Sequence, residues 1–198
     1  MKNAKEGFGK LFIAEILVAV GYLNILIPTK YWYFSLVFLV VDIVALFINS
    51  KGLNLISKDQ EGYKAASNVV TFGLVLSIIK LLMSFLLDSS SKIVSIVADT
   101  IGLLTEVIVF VVCFLVLNTS SKYLQSKGNN DLAKFADTTK NLLLFAYCVA
   151  TVVDFYLTSN VESSTVLLLI VITYAAAIVL IIGQIRYIIF LKKMKDYL

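Results

Sequence analysis

Long apolar runs alternate with short polar segments along the whole chain. A helix needs about 20 mainly apolar residues to cross about 30 Å of hydrocarbon. Because backbone groups in lipid can bond only to one another, runs of this length are predicted to be helices. The six predicted spans are Leu11–Ile27, Trp32–Ile48, Val69–Leu87, Ile93–Leu117, Leu142–Leu157 and Val166–Leu191. The predicted fold class is therefore all-α, a polytopic membrane protein with a single transmembrane helical domain over residues 1–198.

Lysines in the polar segments predict how these spans are threaded. The lysine-rich segments are the N-terminus, the second and fourth connections and the C-terminus, with Lys2, Lys5, Lys10, Lys51, Lys58, Lys64, Lys122, Lys127, Lys134, Lys140, Lys192, Lys193 and Lys195. The first and third connections hold only Lys30 and Lys92, and the fifth holds none. Lysine-rich short loops stay on the cytoplasmic side of a membrane. We therefore expect both termini in the cytoplasm and three hairpins that point the same way, in the cytoplasmic membrane of a prokaryote.

A polar phrase recurs in the two internal lysine-rich connections. "LISKDQEGYKAAS" begins at Leu55, and "LQSKGNNDLAKFAD" begins at Leu124. One interpretation is a duplicated hairpin, and the other is a pattern that any hairpins with lysine-rich inner loops share. The repeating units of the first interpretation are 1–54, 55–123 and 124–198. Each phrase either lies along the inner interface as an amphipathic helix or extends the next helix out of the membrane.

Seven ionisable residues lie inside predicted spans: Glu15, Asp42, Lys80, Asp99, Glu106, Asp154 and Arg186. Each costs about 2.5–3.5 kcal/mol at a helix centre on insertion scales, so such residues face a partner, a cavity or the bundle interior. Asp42, Lys80 and Glu106 fall near the midplane of their spans. Lys80 can neutralise one of the two acids but not both, so an excess of negative charge is predicted there.

The remaining four ionisable residues fall nearer the two membrane faces. Glu15 and Arg186 lie in the inner third and are predicted to form a structural ion pair if the first and last helices are neighbours. Asp99 and Asp154 lie in the outer third. In a functional interpretation these two acids give outer access to a binding site at the midplane, whereas in a structural one they reach the outer headgroups and Arg186 extends inward to the interface.

Small residues within the spans add a weaker signal. Gly73 with Ser77, and the run Ala175–Ala177, are predicted to permit close helix packing. Gly102 lies between Asp99 and Glu106, which share a helix face because they are seven residues apart. We expect the backbone at Gly102 to come close to a ligand.

Composition narrows the function classes. Hydrophobic residues make up 60% of the chain and charged residues 15%, which predicts lipid as the solvent. There is no histidine, and Cys113 and Cys148 lie in separate apolar runs, so no metal, cofactor or disulfide is expected. Motifs for a catalytic nucleophile or a phosphate-binding loop are missing, so the chain is not expected to be an enzyme. The dispersed lysines do not predict a nucleic-acid partner.

Two function classes stay open. The first is a small transport component that binds a solute, a cation or a proton at the intramembrane carboxylates. The second is a non-catalytic accessory, assembly or immunity protein, whose charges pair with a partner subunit or with a second copy of the chain. In both classes the lipid bilayer surrounds the protein. An interior cavity favours the first class, and co-purification of another membrane chain favours the second.

Overall fold

A computed structural model describes residues 2–21, 32–86, 92–158 and 163–198. In this part of the chain every regular element is helical, which confirms the all-α class. The elements are α1 (Lys2–Gly21), α2 (Trp32–Asp59), a single 3-10 turn (Glu61–Tyr63), α3 (Lys64–Leu86), α4 (Lys92–Ser126), α5 (Asn130–Thr158) and α6 (Ser163–Tyr197).

Within the residues that the structure describes, four of the six helices are long and apolar enough to cross a membrane. The qualifying segments are Leu36–Asp59, Glu61–Phe85, Ile96–Ser126 and Leu169–Tyr197. Large apolar side chains stand exposed on these helices, among them Phe85 at 65% and Ile93 at 74%. Such a surface would be a liability in water and is ordinary in lipid, so these features indicate a membrane protein. Part of the predicted first span, residues 22–27, lies outside the described residues.

The helices run further than the apolar runs that predict them. α2 continues to Asp59, α4 to Ser126 and α6 to Tyr197. α5 begins at Asn130, so the second copy of the recurring phrase mostly extends the fifth helix instead of forming a separate one. Polar, lysine-bearing residues keep helical geometry at these ends because their side chains can reach water while the backbone bonds internally.

The two copies of the recurring phrase each end one helix and begin the next. In the first copy α2 ends at Asp59, and the 3-10 turn leads into α3. In the second copy Gly128 adopts a φ of 77°. The N–H of Asn129 donates to the carbonyl of Leu124, and the N–H of Gly128 donates to that of Gln125. This is the pair of bonds that ends a helix at a left-handed glycine.

The chain divides into two compact units, which we describe separately. Unit one comprises Met1–Val116 and Leu191–Leu198, and unit two comprises Leu117–Phe190. In unit one α1 packs on α2 and α2 packs on α3. Asn3 of α1 donates to Asp59 of α2, and Asn49 of α2 donates to Glu15 of α1, so the residue number falls along α2 as it rises along α1. These two helices are therefore antiparallel.

Glycine brings α1 and α2 into close contact. A Cβ atom added at Gly7 would lie 2.6 Å from the carbonyl oxygen of Gly52 and 2.5 Å from a side-chain carbon of Ile56. A Cβ added at Gly52 would lie 2.9 Å from the carbonyl oxygen of Gly7. Beside this contact Phe8 packs edge-on against Tyr63, with ring centres 5.8 Å apart. The N-terminal part of α1 and the C-terminal part of α2 thus approach backbone to backbone, which only glycine permits.

Glycines also set the distance between the later helices. In unit one a Cβ at Gly73 of α3 would lie 2.7 Å from Ile108 of α4, and Ser77, one turn further along, is buried. In unit two a Cβ at Gly183 of α6 would lie 2.6 Å from Leu143 of α5. The predicted packing role of Gly73 and Ser77 is confirmed. Within the alanine run only Ala176 is buried.

Candidate functional site

Three charged side chains from three consecutive helices approach one another in unit one. They are Asp42 of α2, Lys80 of α3 and Glu106 of α4, and we call them the charge cluster. The carboxylate of Asp42 is attracted by the Lys80 ammonium and repelled by the Glu106 carboxylate. A hydrogen bond of 2.9 Å between the hydroxyls of Ser50 and Thr71 fixes α2 against α3 two turns away from Asp42. The structure therefore brings together the three residues predicted at the midplane.

Gly102 makes room for the Lys80 head group. A Cβ atom added at Gly102 would lie 2.8 Å from Lys80 Nζ. The ammonium therefore rests against the α4 backbone, between Asp99 one turn before and Glu106 one turn after. The sequence predicted a close approach at Gly102, and the group that approaches is the lysine of α3.

The cluster is not locked into an ion pair. In the part of the chain that the structure describes, neither Lys80 nor Glu106 has an oppositely charged atom within 4.0 Å, and Glu106 makes no hydrogen bond. Glu106 is exposed, whereas Asp42 and Lys80 are half-buried. Two carboxylates and one ammonium give a net charge of −1 when all three are ionised. One proton or one monovalent cation would neutralise such a cluster, which lipid surroundings favour.

Glu15 is the most deeply buried acid among the described residues, with 0% exposure. Asn49 Nδ2 donates to Glu15 Oε1 over 3.1 Å, and Asn49 is itself 3% exposed. The Asn49 Oδ1 atom is buried without a hydrogen-bond donor among the described residues. Asn49 was not among the predicted site residues, although an asparagine directly after an apolar run is a polar signal in its own right.

Arg186 lies on α6 in unit two, and Glu15 lies in unit one, so their predicted ion pair stays a prediction. Within unit two Arg186 Nη2 donates to Thr138 Oγ1 over 3.0 Å, and Nε donates to Thr139 Oγ1 over 3.3 Å. The guanidinium carbon lies 4.5 Å from the centre of the Phe135 ring. Three residues of α5 thus hold the arginine head group in place.

A polar network joins α4 to α5 in unit two. Lys140 Nζ donates to Asn118 Oδ1 over 3.1 Å and to Asp137 Oδ1 over 3.0 Å. Ser121 donates to Asp137 Oδ2 over 2.8 Å, and Gln125 donates to the same oxygen over 3.4 Å. Burial acting alone would raise the pKa of the Asp137 carboxyl. The hydrogen bond from Ser121, the one from Lys140 and the lysine charge together outweigh burial and hold that pKa below its ordinary value.

Asp99 and Asp154 are the two other residues that were predicted to line the binding site. Asp99 is exposed on α4. Asp154 lies on α5 in unit two, and its side chain falls outside the described residues. Across the described ranges no group of three His, Cys, Asp or Glu side chains is arranged to hold a metal ion. The chain matches no known protein family, no curated protein and no solved structure.

Proposed function

We propose that the protein is a small transport component of a membrane, and that the charge cluster binds a proton or a monovalent cation during transport. The observation that carries this proposal is the joint position of Asp42, Lys80 and Glu106, three charges from three helices with a net charge of −1. Charges that only stabilise a fold are expected to form ion pairs or hydrogen bonds. Lys80 and Glu106 make neither with any residue that the structure describes.

Lys80 gives the cluster a way to respond to the bound ion. A proton or cation that binds the acids releases the ammonium from their attraction, and its departure restores that attraction. Because Gly102 has no side chain, none from that position separates the ammonium from the α4 backbone. A lysine between two acids therefore favours a site that loads and unloads over one that stays permanently filled.

The proposal also includes how the chain is threaded through the membrane. We propose six spans arranged as three hairpins with the same direction, with both termini in the cytoplasm of a prokaryotic cell. Four helices of sufficient length and apolarity support the membrane location. The lysines at the proposed inner ends support the direction. Under this topology the charge cluster lies at mid-depth, where an ion has to be bound by protein groups in order to cross.

Ion flux into proteoliposomes tests this function. Purified protein is reconstituted, and an inward current is driven by a potassium diffusion potential. A pH-sensitive dye inside the vesicles then reports protons, and radioactive sodium reports a monovalent cation. We expect flux of one of these two ions, and we expect Glu106→Gln to reduce it at least about a hundredfold, because the variant removes the charge but keeps the size of the side chain.

A matched variant controls for the loss of any one acid. Glu6 lies near the start of α1, pairs with Lys10 over 3.2 Å and is exposed. Glu6→Gln is therefore expected to keep full flux. Wild-type-like flux of the transported ion for Glu106→Gln, or no flux of either ion for the wild type, with equal protein per vesicle, would show that the charge cluster does not carry the ion.

The exposed side chain of Glu106 favours one alternative function. An acid on the outer surface of a spanning helix is costly against lipid but favourable against a basic group of another membrane protein. In this alternative the protein is a membrane-embedded accessory subunit, and Glu106 forms an ion pair with its partner. A cysteine introduced at Glu106 would then cross-link to a different chain in native membranes, whereas a transport component would give no such product.

A further inference from the structure

Unit two holds an arginine in a fixed position next to an apolar depression. The guanidinium of Arg186 is bonded to Thr138 and Thr139 and lies over the ring of Phe135. All three partners belong to α5, just before the apolar run that starts at Leu142. The head group is thus placed at the boundary between the polar and the apolar part of α5, on the side proposed to face the cytoplasm.

The fixed guanidinium keeps hydrogen-bonding capacity to spare. An arginine side chain has five N–H donors. Two of them donate to the threonine hydroxyls, which leaves three without an acceptor in the described ranges. No carboxylate of those ranges lies within 4.0 Å of Arg186. A planar guanidinium with free donors and no counter-charge matches the oxygens of a phosphate group, which it can contact through two parallel bonds.

The depression begins at Phe145, two helical turns beyond Thr138 on the same helix. It has a volume of about 280 Å³ and is lined by Phe145, Cys148, Val149, Val152 and Val153. Phe145 and Val152 follow Thr138 by two and four helical turns, so they share its face of α5. The face extends about 21 Å from Thr138 to Val152 at 1.5 Å per residue. A positively charged end and an apolar length therefore lie in line.

We propose that unit two binds one anionic phospholipid, with its phosphate on the Arg186 guanidinium and an acyl chain in the depression on α5. Charge complementarity selects an anion because the arginine lacks a carboxylate partner among the described residues. The apolar continuation selects a lipid over inorganic phosphate, since only a lipid can cover both parts. Basic groups between helices at the cytoplasmic side are suited to such head groups.

Lipid retention measured by native mass spectrometry tests the proposal. The protein is extracted in a mild detergent and titrated with phosphatidylglycerol or with phosphatidylcholine of the same chain length. We expect one tightly retained phosphatidylglycerol, bound at least about tenfold more strongly than phosphatidylcholine. Arg186→Gln is expected to abolish this preference. Arg186→Lys is expected to lose most of it, because an ammonium cannot form the two parallel bonds.

Two further variants separate the proposal from its rivals. Lys192→Gln removes one positive charge from an exposed position on the same helix and is expected to keep the preference. Val149→Trp fills the depression and leaves Arg186 in place, so it is expected to weaken long-chain phosphatidylglycerol more than a short-chain analogue. Four results would overturn the proposal: equal retention by Arg186→Gln, equal loss by Lys192→Gln, displacement of the lipid by inorganic phosphate, or occupation of this face by a second copy of the chain.

Discussion

In unit two Lys140 and Asp137 join α4 to α5 through hydrogen bonds, whereas in unit one Lys80 and Glu106 form no ion pair or hydrogen bond with any described residue. The same kinds of side chain therefore have different roles in the two units. Charges that hold helices together have short bonds to named partners. The charges of the cluster interact over longer distances, since neither Lys80 nor Glu106 has an opposite charge within 4.0 Å in the described residues. This difference, and not the presence of charge, distinguishes a candidate site from a structural contact.

The largest effect is expected at the glycine contact of unit one. A methyl group at Gly7 meets the backbone oxygen of Gly52 at 2.6 Å, so Gly7→Ala forces α1 and α2 apart. We expect a loss of about 2–3 kcal/mol in the free energy of unfolding, typical of an overpacked contact. Unfolding in mixed detergent micelles, followed by circular dichroism, measures it.

Gly9→Ala is the matched control for this change. The nearest atom to an added Cβ at Gly9 is a side-chain carbon of Lys195 at 3.6 Å, an ordinary contact. The control should gain about 0.5–1 kcal/mol from the better helix propensity of alanine. Equal behaviour of the two variants would mean that glycine does not set the α1–α2 distance.

The second effect concerns Glu15, the fully buried acid of unit one, which accepts a hydrogen bond from Asn49. Asn49→Ala removes the donor that bonds to the buried Glu15 carboxyl. We expect a loss of about 1–3 kcal/mol, the cost of leaving a buried polar group short of a partner. The same unfolding assay applies, with Asn54→Ala on the exposed face of α2 as the neutral control. A loss of stability as small as that of the control would show that the hydrogen bond between Asn49 and Glu15 does not stabilise the fold.

A smaller effect with a distinct pH dependence is expected in unit two. The folded-state pKa of Asp137 is below its ordinary value, so its contribution to stability is present above that value and is lost as pH falls through the folded pKa. Asp137→Asn should cost about 1 kcal/mol at neutral pH, because the carboxylate is partly exposed. The gap between wild type and variant should close as pH falls below about 4, near the ordinary pKa of aspartate. A gap that is constant with pH would contradict the assigned role of the carboxylate charge.

The smallest effect on stability is expected in the charge cluster itself. Glu106→Gln removes no hydrogen bond or ion pair within the described part of the chain, so the free energy of unfolding should change by no more than about 0.5 kcal/mol. The same variant is the one expected to lose ion flux. A large loss of stability would instead show that Glu106 stabilises the fold, as Asp137 and Lys140 do in unit two.

The apolar runs were sufficient to predict the helices. The ionisable residues within those runs were sufficient to name the three members of the charge cluster. Apolar runs predicted the helices because lipid leaves the backbone no other partner. The positions of Asp42, Lys80 and Glu106 within their runs predicted a shared depth. Helix ends were predicted less well, since α2 and α4 continue through polar residues that carry no hydrophobic signal.

Other features depended on rotation of the helices, which run lengths do not reveal. Nothing in the sequence indicated that Gly7 would face Gly52, or that Asn49 rather than another polar residue would meet Glu15. The partners of Arg186 were missed for the same reason. Thr138 and Thr139 precede the fifth apolar run and were treated as part of a connection, whereas they belong to a continuous α5.

The hydrogen bond between Asn49 and Glu15 also has a consequence for biogenesis. α1 is synthesised before Asn49, and until α2 follows, the Glu15 carboxyl lacks this donor. An acid without its donor is costly in lipid, so the release of α1 from the insertion machinery should wait for α2, and the first two helices should integrate as a pair. A truncated chain that ends before α2 would then leave α1 in a position from which alkaline buffer can still extract it.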